Sequence, residues 1–317
     1  MLIVTGTIAY DYIMDFEGSF GDHILPDQIH KINLSFIVNK FARRRGGTAG
    51  NVSYSLGLLK TPHVLFSVAG RDFNDYKREF RKLNIATNQV LVDKNNYTAT
   101  GFAMTDKKDN QIWGYFYGAS EKIKDLNLKK VAHLAAKHDT KKDLLLIGPS
   151  GASGSMSFVR QAIRLKIPYM FDPGFILTQI NDKDLELGVS NADFLIGNDY
   201  EIDVIKKRLK SWQKLFAGRT VITTLGEKGG IVKTPRKTYK ISAAKPKRVL
   251  DPTGAGDAWR AGFLSGVERD FDIKTCGQIG AVAASFTIEN YGSQEHKFTI
   301  KEFENRYRQN FGSLLKL

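Results

Sequence analysis

The chain has 317 residues, 42% hydrophobic and 25% charged, a balance that excludes a disordered or fibrous protein and fits one large domain or two. Lys and Arg number 47 against 33 for Asp and Glu, a net charge of +14. The cations are scattered without a basic block or a nucleic-acid-binding motif, so a generic cationic surface is expected and a nucleic-acid partner is not.

No run approaches the roughly 18 apolar residues of a membrane helix. Met1 to Gly6 carries no basic leader, and the single cysteine, Cys276, forms no intrachain disulfide. A soluble, cytoplasmic protein without a membrane partner is expected. In chain order, Leu2 to Thr5 reads as a buried strand. Short alternating stretches follow at Tyr12-Ile13-Met14, Lys31 to Val38, Thr98 to Thr105 and Ile112 to Tyr117, with the turn Asp106 to Asn110 closing the last two into a hairpin. They predict a small β-layer inserted at two places, residues 11–42 and 97–118, lying as a lid on a larger domain of residues 1–10, 43–96 and 119–317.

Beyond the hairpin the pattern changes. Strands are predicted at Leu144 to Gly148, Pro168 to Phe171, Phe194 to Ile196 and Thr220 to Thr224, with helices over Ser157 to Leu165 and Glu201 to Leu209. Such alternation predicts parallel βαβ units, hence an α/β fold with a doubly wound, mostly parallel sheet. Ligands of such sheets sit beyond the carboxyl ends of the strands, which is where Asp172, Asn198 and Thr224-Leu225-Gly226 fall.

The most informative stretch runs from Leu250 to Trp259. Asp251-Pro252-Thr253-Gly254-Ala255-Gly256-Asp257 is a Gly-rich turn, and a helix begins near Asp257. Its apolar stripe is Trp259, Phe263 and Val267, while Gly262 and Gly266 permit close packing elsewhere. Small residues at Gly254, Ala255 and Gly256 let backbone N–H groups converge at a helix N-terminus, an anion site. An aspartate there repels a phosphate unless it has a task. Asp257 placed at that turn takes the proton of a hydroxyl as the hydroxyl attacks a phosphoryl group. As a lone motif, Gly-x-Gly-Asp reads first as an ordinary helix cap, but here the motif is longer.

Here the chain resembles the ribokinase (PfkB) family of carbohydrate and nucleoside kinases. Asp251 to Asp257 is similar to that family's signature, Gly46-Gly47-Thr48-Ala49-Gly50-Asn51 to its Gly-Gly-x-x-x-Asn, Asn198-Asp199-Tyr200-Glu201 to its Asn-x-x-Glu, and Gly6 to Asp11 to its Gly-x-x-x-x-Asp opening. Order and spacing match over essentially the whole chain, with Pro252 the one departure, where many members carry Thr. The stretches His23 to Gln28, Asn33 to Phe36 and Phe171 to Gly174 resemble the prokaryotic nucleoside (adenosine) kinase branch.

The resemblance implies a ribokinase-like fold and an ATP- and Mg²⁺-dependent transfer to the 5′-hydroxyl of a ribonucleoside; the alternative is a kinase of a free sugar such as ribose or fructose. It implies that Asp11, at the end of the first strand, binds two vicinal hydroxyls, that Gly47 lets a sugar approach the backbone, and that Asn51 donates to and accepts from the ribose. Phe102, Gln111 and Phe116 on the hairpin are candidates for contacting the base. Thr224, Gly226 and Thr253 are placed at ATP, and Asn198 and Glu201 at both ATP and magnesium, the metal held through water. A monovalent cation such as K⁺ is allowed near Ser285, Gly292 and Ser293, and a homodimer through the lid. Arg43-Arg44-Arg45 is expected to be solvated. The chain lacks Gly-Lys-[Ser/Thr], which excludes the common phosphate loop, and Gly148 to Ala152 lacks the closing glycine of a nucleophile elbow.

Overall fold

The computed structural model describes residues 1–24, 33–108, 110–135 and 143–317. Residues 25–28 of the branch-like stretch, residues 31 and 32, and Asp109 in the hairpin turn lie outside the described residues. The strands are β1 (Leu2–Thr5), β2 (Ala9–Asp15), β3 (Lys40–Gly46), β4 (His63–Leu65), β5 (Val68–Gly70), β6 (Leu91–Asp93), β7 (Ala99–Thr105), β8 (Gln111–Phe116), β9 (Leu144–Ile147), β10 (Tyr169–Phe171), β11 (Phe194–Asn198), β12 (Thr220–Thr224), β13 (Gly230–Lys233) and β14 (Thr238–Ile241). The helices are α1 (Thr48–Leu58), α2 (Asn74–Lys82), α3 (Lys129–Ala135), α4 (Gly151–Leu165), α5 (Asp182–Asn191), α6 (Asp199–Arg208), α7 (Trp212–Leu215), α8 (Ala255–Glu268), α9 (Ile273–Thr287) and α10 (Ile300–Phe311).

The main sheet has eight strands in the order β14-β13-β12-β11-β10-β9-β1-β4, parallel except for β13 and β14 at one edge. Strand periodicity sorts its side chains onto two cores. Leu2, Val4, Leu144, Leu146, Met170 and Ile196 face one way, towards Val52 of α1, Phe263 of α8, Ile279 of α9 and Phe303 of α10. Ile3, Leu145, Ile147, Phe171 and Leu195 face the other, towards Phe158 of α4, Leu185 of α5 and Ile202 of α6. Burial on both faces is why these strands are continuous apolar runs. Growth of the sheet reverses at β1, with β4 on one side and β9 to β12 on the other, which opens a crevice at the carboxyl ends. Among the described residues, no helix is long and apolar enough to cross a membrane.

Helix α8 crosses α9 at backbone contact. A Cβ on Gly262 would stand 2.7 Å from the Ile279 carbonyl oxygen, and one on Gly280 would stand 2.8 Å from that of Trp259. That close crossing seats the start of α8 against the sheet.

The lid is a four-stranded sheet in the order β3-β2-β7-β8. Its strands begin at Ala9 and run to Gly46, past the expected lid edges at 11 and 42. The strand expected over Lys31 to Val38 is absent from residues 33–38; the sheet instead takes Lys40–Gly46, which contains the arginine run. The physical reason is packing that the charge pattern conceals. Arg43 lies over the Tyr10 ring at 3.7 Å and pairs with Asp72 and Asp75, and Arg45 pairs with Glu295 at 3.3 Å, so two of the three arginines are anchored by partners while the stretch stays partly exposed.

Candidate active site

Helix α8 starts at Ala255, two residues earlier than the sequence suggests, behind Gly254 with φ +80°. That left-handed backbone suits glycine. No side chain caps the helix. Asp251 instead folds the turn, its Oδ1 accepting from Thr253 N–H and its Oδ2 from Gly292 N–H, both at 2.8 Å. Ala255 N–H donates to the Pro252 carbonyl at 3.1 Å. The N–H groups of Gly254, Gly256 and Asp257 have no partner among the described residues, so three unpaired amides and the positive end of the helix dipole meet at this turn, an arrangement able to bind an anion.

Asp257 is the third residue of α8. Its Oδ2 accepts from Asn51 Nδ2 at 2.8 Å. Burial pushes its carboxyl up to about 6, against the pull of Arg260 and the Asn51 hydrogen bond. Asn51 in turn accepts at Oδ1 from Ser293 Oγ and Gln294 Nε2, both at 2.8 Å. Its acceptor is therefore engaged inside the protein, and of the expected two-way contact with a ribose only one N–H remains.

Asp11 does not end the first strand; it is the third residue of β2, on the lid. Its carboxylate lies between two glycines. A Cβ on Gly46 would collide with Asp11 Oδ2, and one on Gly101 would stand 2.8 Å from Oδ1. Burial, then repulsion from Asp257, pushes Asp11 up to about 6. The lid carboxylate thus senses the one on the floor. Gly47 serves the chain rather than an open approach: at φ +82°, a Cβ would stand 2.6 Å from the Thr7 carbonyl oxygen and 2.7 Å from Ala9 N.

Strand register decides which lid residues share the Asp11 face. Asp11 pairs with Gly101 and Arg44, and Gly101 with Tyr115; the next pairs along are Ala103 with Trp113 and Thr105 with Gln111. Tyr12 pairs with Phe102, and Tyr10 with Thr100 and hence Phe116, so both phenylalanines lie on the opposite face. Phe102 stacks there on Tyr12 at 5.4 Å. The aromatics on the Asp11 face are Trp113 and Tyr115, stacked at 5.5 Å, and Tyr115 continues onto Phe175 at 6.2 Å with the rings 2° from parallel. Gln111 is on this face too, its Oε1 accepting from Trp113 Nε1 at 3.1 Å. The sequence signal for Trp113 and Tyr115 is their two-residue spacing opposite Gly101.

On the nucleotide side, Asn198 and Thr224 end adjacent strands and are register partners. Asn198 Oδ1 accepts from Glu201 N–H, and Glu201 Oε2 accepts from Asn198 N–H, each at 2.8 Å, a reciprocal cap on α6. Burial and the Asp172 charge raise the Glu201 carboxyl. Gly226, at φ +58°, turns the chain after β12, and Thr253 is exposed on the turn before α8. Asp172 meets no open space: it is buried and paired with Arg260, a residue that sequence reasoning missed and that lies three positions after Asp257. Ser285 does not fit a monovalent cation, because its buried hydroxyl donates to Val282 and accepts from the Arg306 guanidinium. Ser293 Oγ is engaged by Asn51, and Gly292 N–H by Asp251.

Free amides beside a buried carboxylate are an arrangement compatible with phosphoryl transfer to an alcohol. The chain belongs to the pfkB family of carbohydrate kinases, whose family model matches residues 7–299. It is 30% identical to a nucleoside kinase of Methanothermobacter thermautotrophicus over 98% of this chain and 96% of that one. Among solved structures it is similar to a Burkholderia thailandensis nucleoside kinase in complex with inosine, at a TM-score of 0.87 and 30% identity with all of both chains covered. A Methanocaldococcus jannaschii nucleoside kinase matches at a TM-score of 0.84 and 27% identity over 97% of this chain and 98% of that one.

Proposed function

We propose that this kinase transfers the γ-phosphoryl group of ATP to the 5′-hydroxyl of a ribonucleoside, adenosine or a related purine nucleoside. The observation that carries the reading is Asp11 on the lid facing Asp257 at the anion-binding turn, near enough for the Asp257 charge to raise the Asp11 carboxyl. A ribose is proposed to bind between them. Asp11 accepts from two vicinal hydroxyls, and Asn51 donates with its remaining N–H. The primary hydroxyl is then left beside Asp257, which takes its proton as the new P–O bond forms. The amides of Gly254, Gly256 and Asp257 neutralise the charge that develops on the transferred group.

The nucleoside relatives support this acceptor, and so does the aromatic series Trp113, Tyr115 and Phe175 on the Asp11 face, an apolar surface that a base covers and a free sugar does not. ATP lies along the ends of β11 and β12, at Asn198, Glu201, Thr224, Gly226 and Thr253. The donor set fits Mg²⁺ held through water: Glu201 Oε2 is engaged in the cap, while Oε1 accepts no hydrogen bond among the described residues. When bound, Mg²⁺ neutralises phosphate charge and orients the donor. ATP use suits a cytoplasmic setting. The outer lid face, with Phe41, Phe102, Ile112 and Phe116 exposed, suits pairing of two lids, which analytical ultracentrifugation reads directly.

The test is ADP release from ATP and Mg²⁺ with adenosine, inosine, guanosine, cytidine, ribose and fructose, with Asp257→Asn as the blank. Saturable turnover with nucleosides alone is expected. Turnover with sugars alone overturns the acceptor and leaves the chemistry standing.

A further inference from the structure

The guanidinium of Arg260 is buried beneath the anion-binding turn, and nothing in the transfer described above uses it. Arg260 follows Gly256 by four residues and Asp257 by three on α8, so its side chain lies over the helix surface next to both positions. Its Nη2 donates to Asp172 Oδ1 at 2.9 Å and Nε stands 2.6 Å from Oδ2 without a hydrogen bond, an ion pair just past the end of β10. The two side chains are only 10% and 2% exposed. Nη1 makes no hydrogen bond among the described residues and lies against Gly256, where a Cβ would stand 2.7 Å from it. Gly256 therefore makes room for a cation directly behind the amides.

A desolvated ion pair is a poor source of stability, since apolar residues of similar volume commonly do as well. Its position suggests another purpose. Asp257 is faced by Arg260 from its own helix, by Asp172 beyond β10, by Glu201 from α6 and by Asp11 from β2, while α1 supplies the neutral Asn51. In that set one cation stands among three other carboxylates.

We propose that Arg260 is a positioning residue for phosphoryl transfer: its charge keeps Asp257 in the ionised, proton-accepting form, and its tie to Asp172 fixes the first turns of α8 against the end of β10. The proposal rests on Asp257 being the base. Burial drives the Asp257 carboxyl upward, and Arg260 is the largest influence opposing it, whereas Asp172 adds to the rise. The two members of one ion pair thus act on Asp257 with opposite sign.

That opposition supplies the test. The pH dependence of kcat/KM for the nucleoside is measured from pH 5 to 9 for the wild type, Arg260→Met, Arg260→Lys and Asp172→Asn, with melting temperatures alongside. Arg260→Met is expected to move the acid limb up by about one pH unit or more, so that its deficit shrinks as the pH rises. Asp172→Asn is expected to move the limb down, and Arg260→Lys to leave it near the wild-type position. A merely structural pair makes Arg260→Met and Asp172→Asn alike; equal losses at every pH with an unmoved limb overturn the proposal. If Arg260→Met does not fold, a limb that fails to move down in Asp172→Asn overturns it alone. Failure of the underlying reading shows separately, as wild-type turnover in Asp257→Asn.

Discussion

Asn51 Nδ2 donates to Asp257 Oδ2 at 2.8 Å across 206 residues of sequence, while Asn51 Oδ1 accepts from Ser293 and Gln294. One amide on α1 therefore orients the carboxylate on α8 and satisfies two buried donors of the segment after α9. Asn51→Ala removes that orientation and takes one acceptor from each donor, leaving Ser293 Oγ the Arg45 carbonyl and Gln294 Nε2 the Tyr76 hydroxyl. It is expected to lower kcat by roughly 10²-fold and to cost about 1–3 kcal/mol in urea unfolding. An Asn51→Ala enzyme with normal kcat would show that Asp257 needs no such support.

Asp257→Asn preserves the shape of the site and still accepts from Asn51, but it takes no proton. Nucleoside affinity by calorimetry should stay within a few-fold of wild type, while single-turnover phosphorylation falls by roughly 10²–10⁴.

The pH dependence has two opposite signs. With Asp257 as the proposed base, turnover needs it ionised, and burial pushes its carboxyl up to about 6, so kcat/KM should fall as the pH drops through about 6 rather than about 4. Asp11, also near 6 and coupled to Asp257, broadens that limb. For stability the sign reverses. A carboxyl raised in the folded chain is protonated there while still ionised in the unfolded one, so the stability from these two groups is present at pH 4 and is lost as the pH rises through 6. Melting temperatures of the ligand-free enzyme and of Asp257→Asn, compared at pH 5 and 8, should show the wild type losing more than the variant over that interval.

Lid register predicts a contrast between two aromatics. Tyr115→Ala removes the middle ring between Trp113 and Phe175 and should raise the nucleoside KM about tenfold. Phe102→Ala, on the other face against Tyr12, should leave KM within about twofold. Equal effects would mean that both faces of the hairpin reach the base.

Gly262→Ala tests the seat of the catalytic helix. The added methyl meets the Ile279 carbonyl oxygen at 2.7 Å, a backbone atom that cannot swing aside. A loss of about 1–3 kcal/mol in denaturant unfolding is expected.

Much of the fold was legible because it is local. Runs such as Leu144 to Ile147 announce strands buried on both faces, and the helices between them imply the parallel sheet. The turn at Asp251 to Asp257 was legible for the same reason: glycine spacing and a helix start are contained in a few consecutive residues. The strand at Lys40–Gly46 was hidden because its arginine run looks solvated until Tyr10 and Asp72 are brought against Arg43, and Glu295 against Arg45.

Sequence alone determined the doubly wound class, the Gly-rich turn at a helix start and the kinase family, because periodicity and motif spacing are properties of neighbouring residues. Tertiary structure decided which hairpin face meets the cleft, since a one-residue change of register exchanges Phe102 for its neighbours. It also decided what surrounds Asp257. Arg260 meets Asp172 across 88 residues and Asn51 meets Asp257 across 206, and only the folded arrangement of the two sheets brings Asp11 near enough to feel Asp257. Charges act through space, and their partners in space are not their partners in the chain.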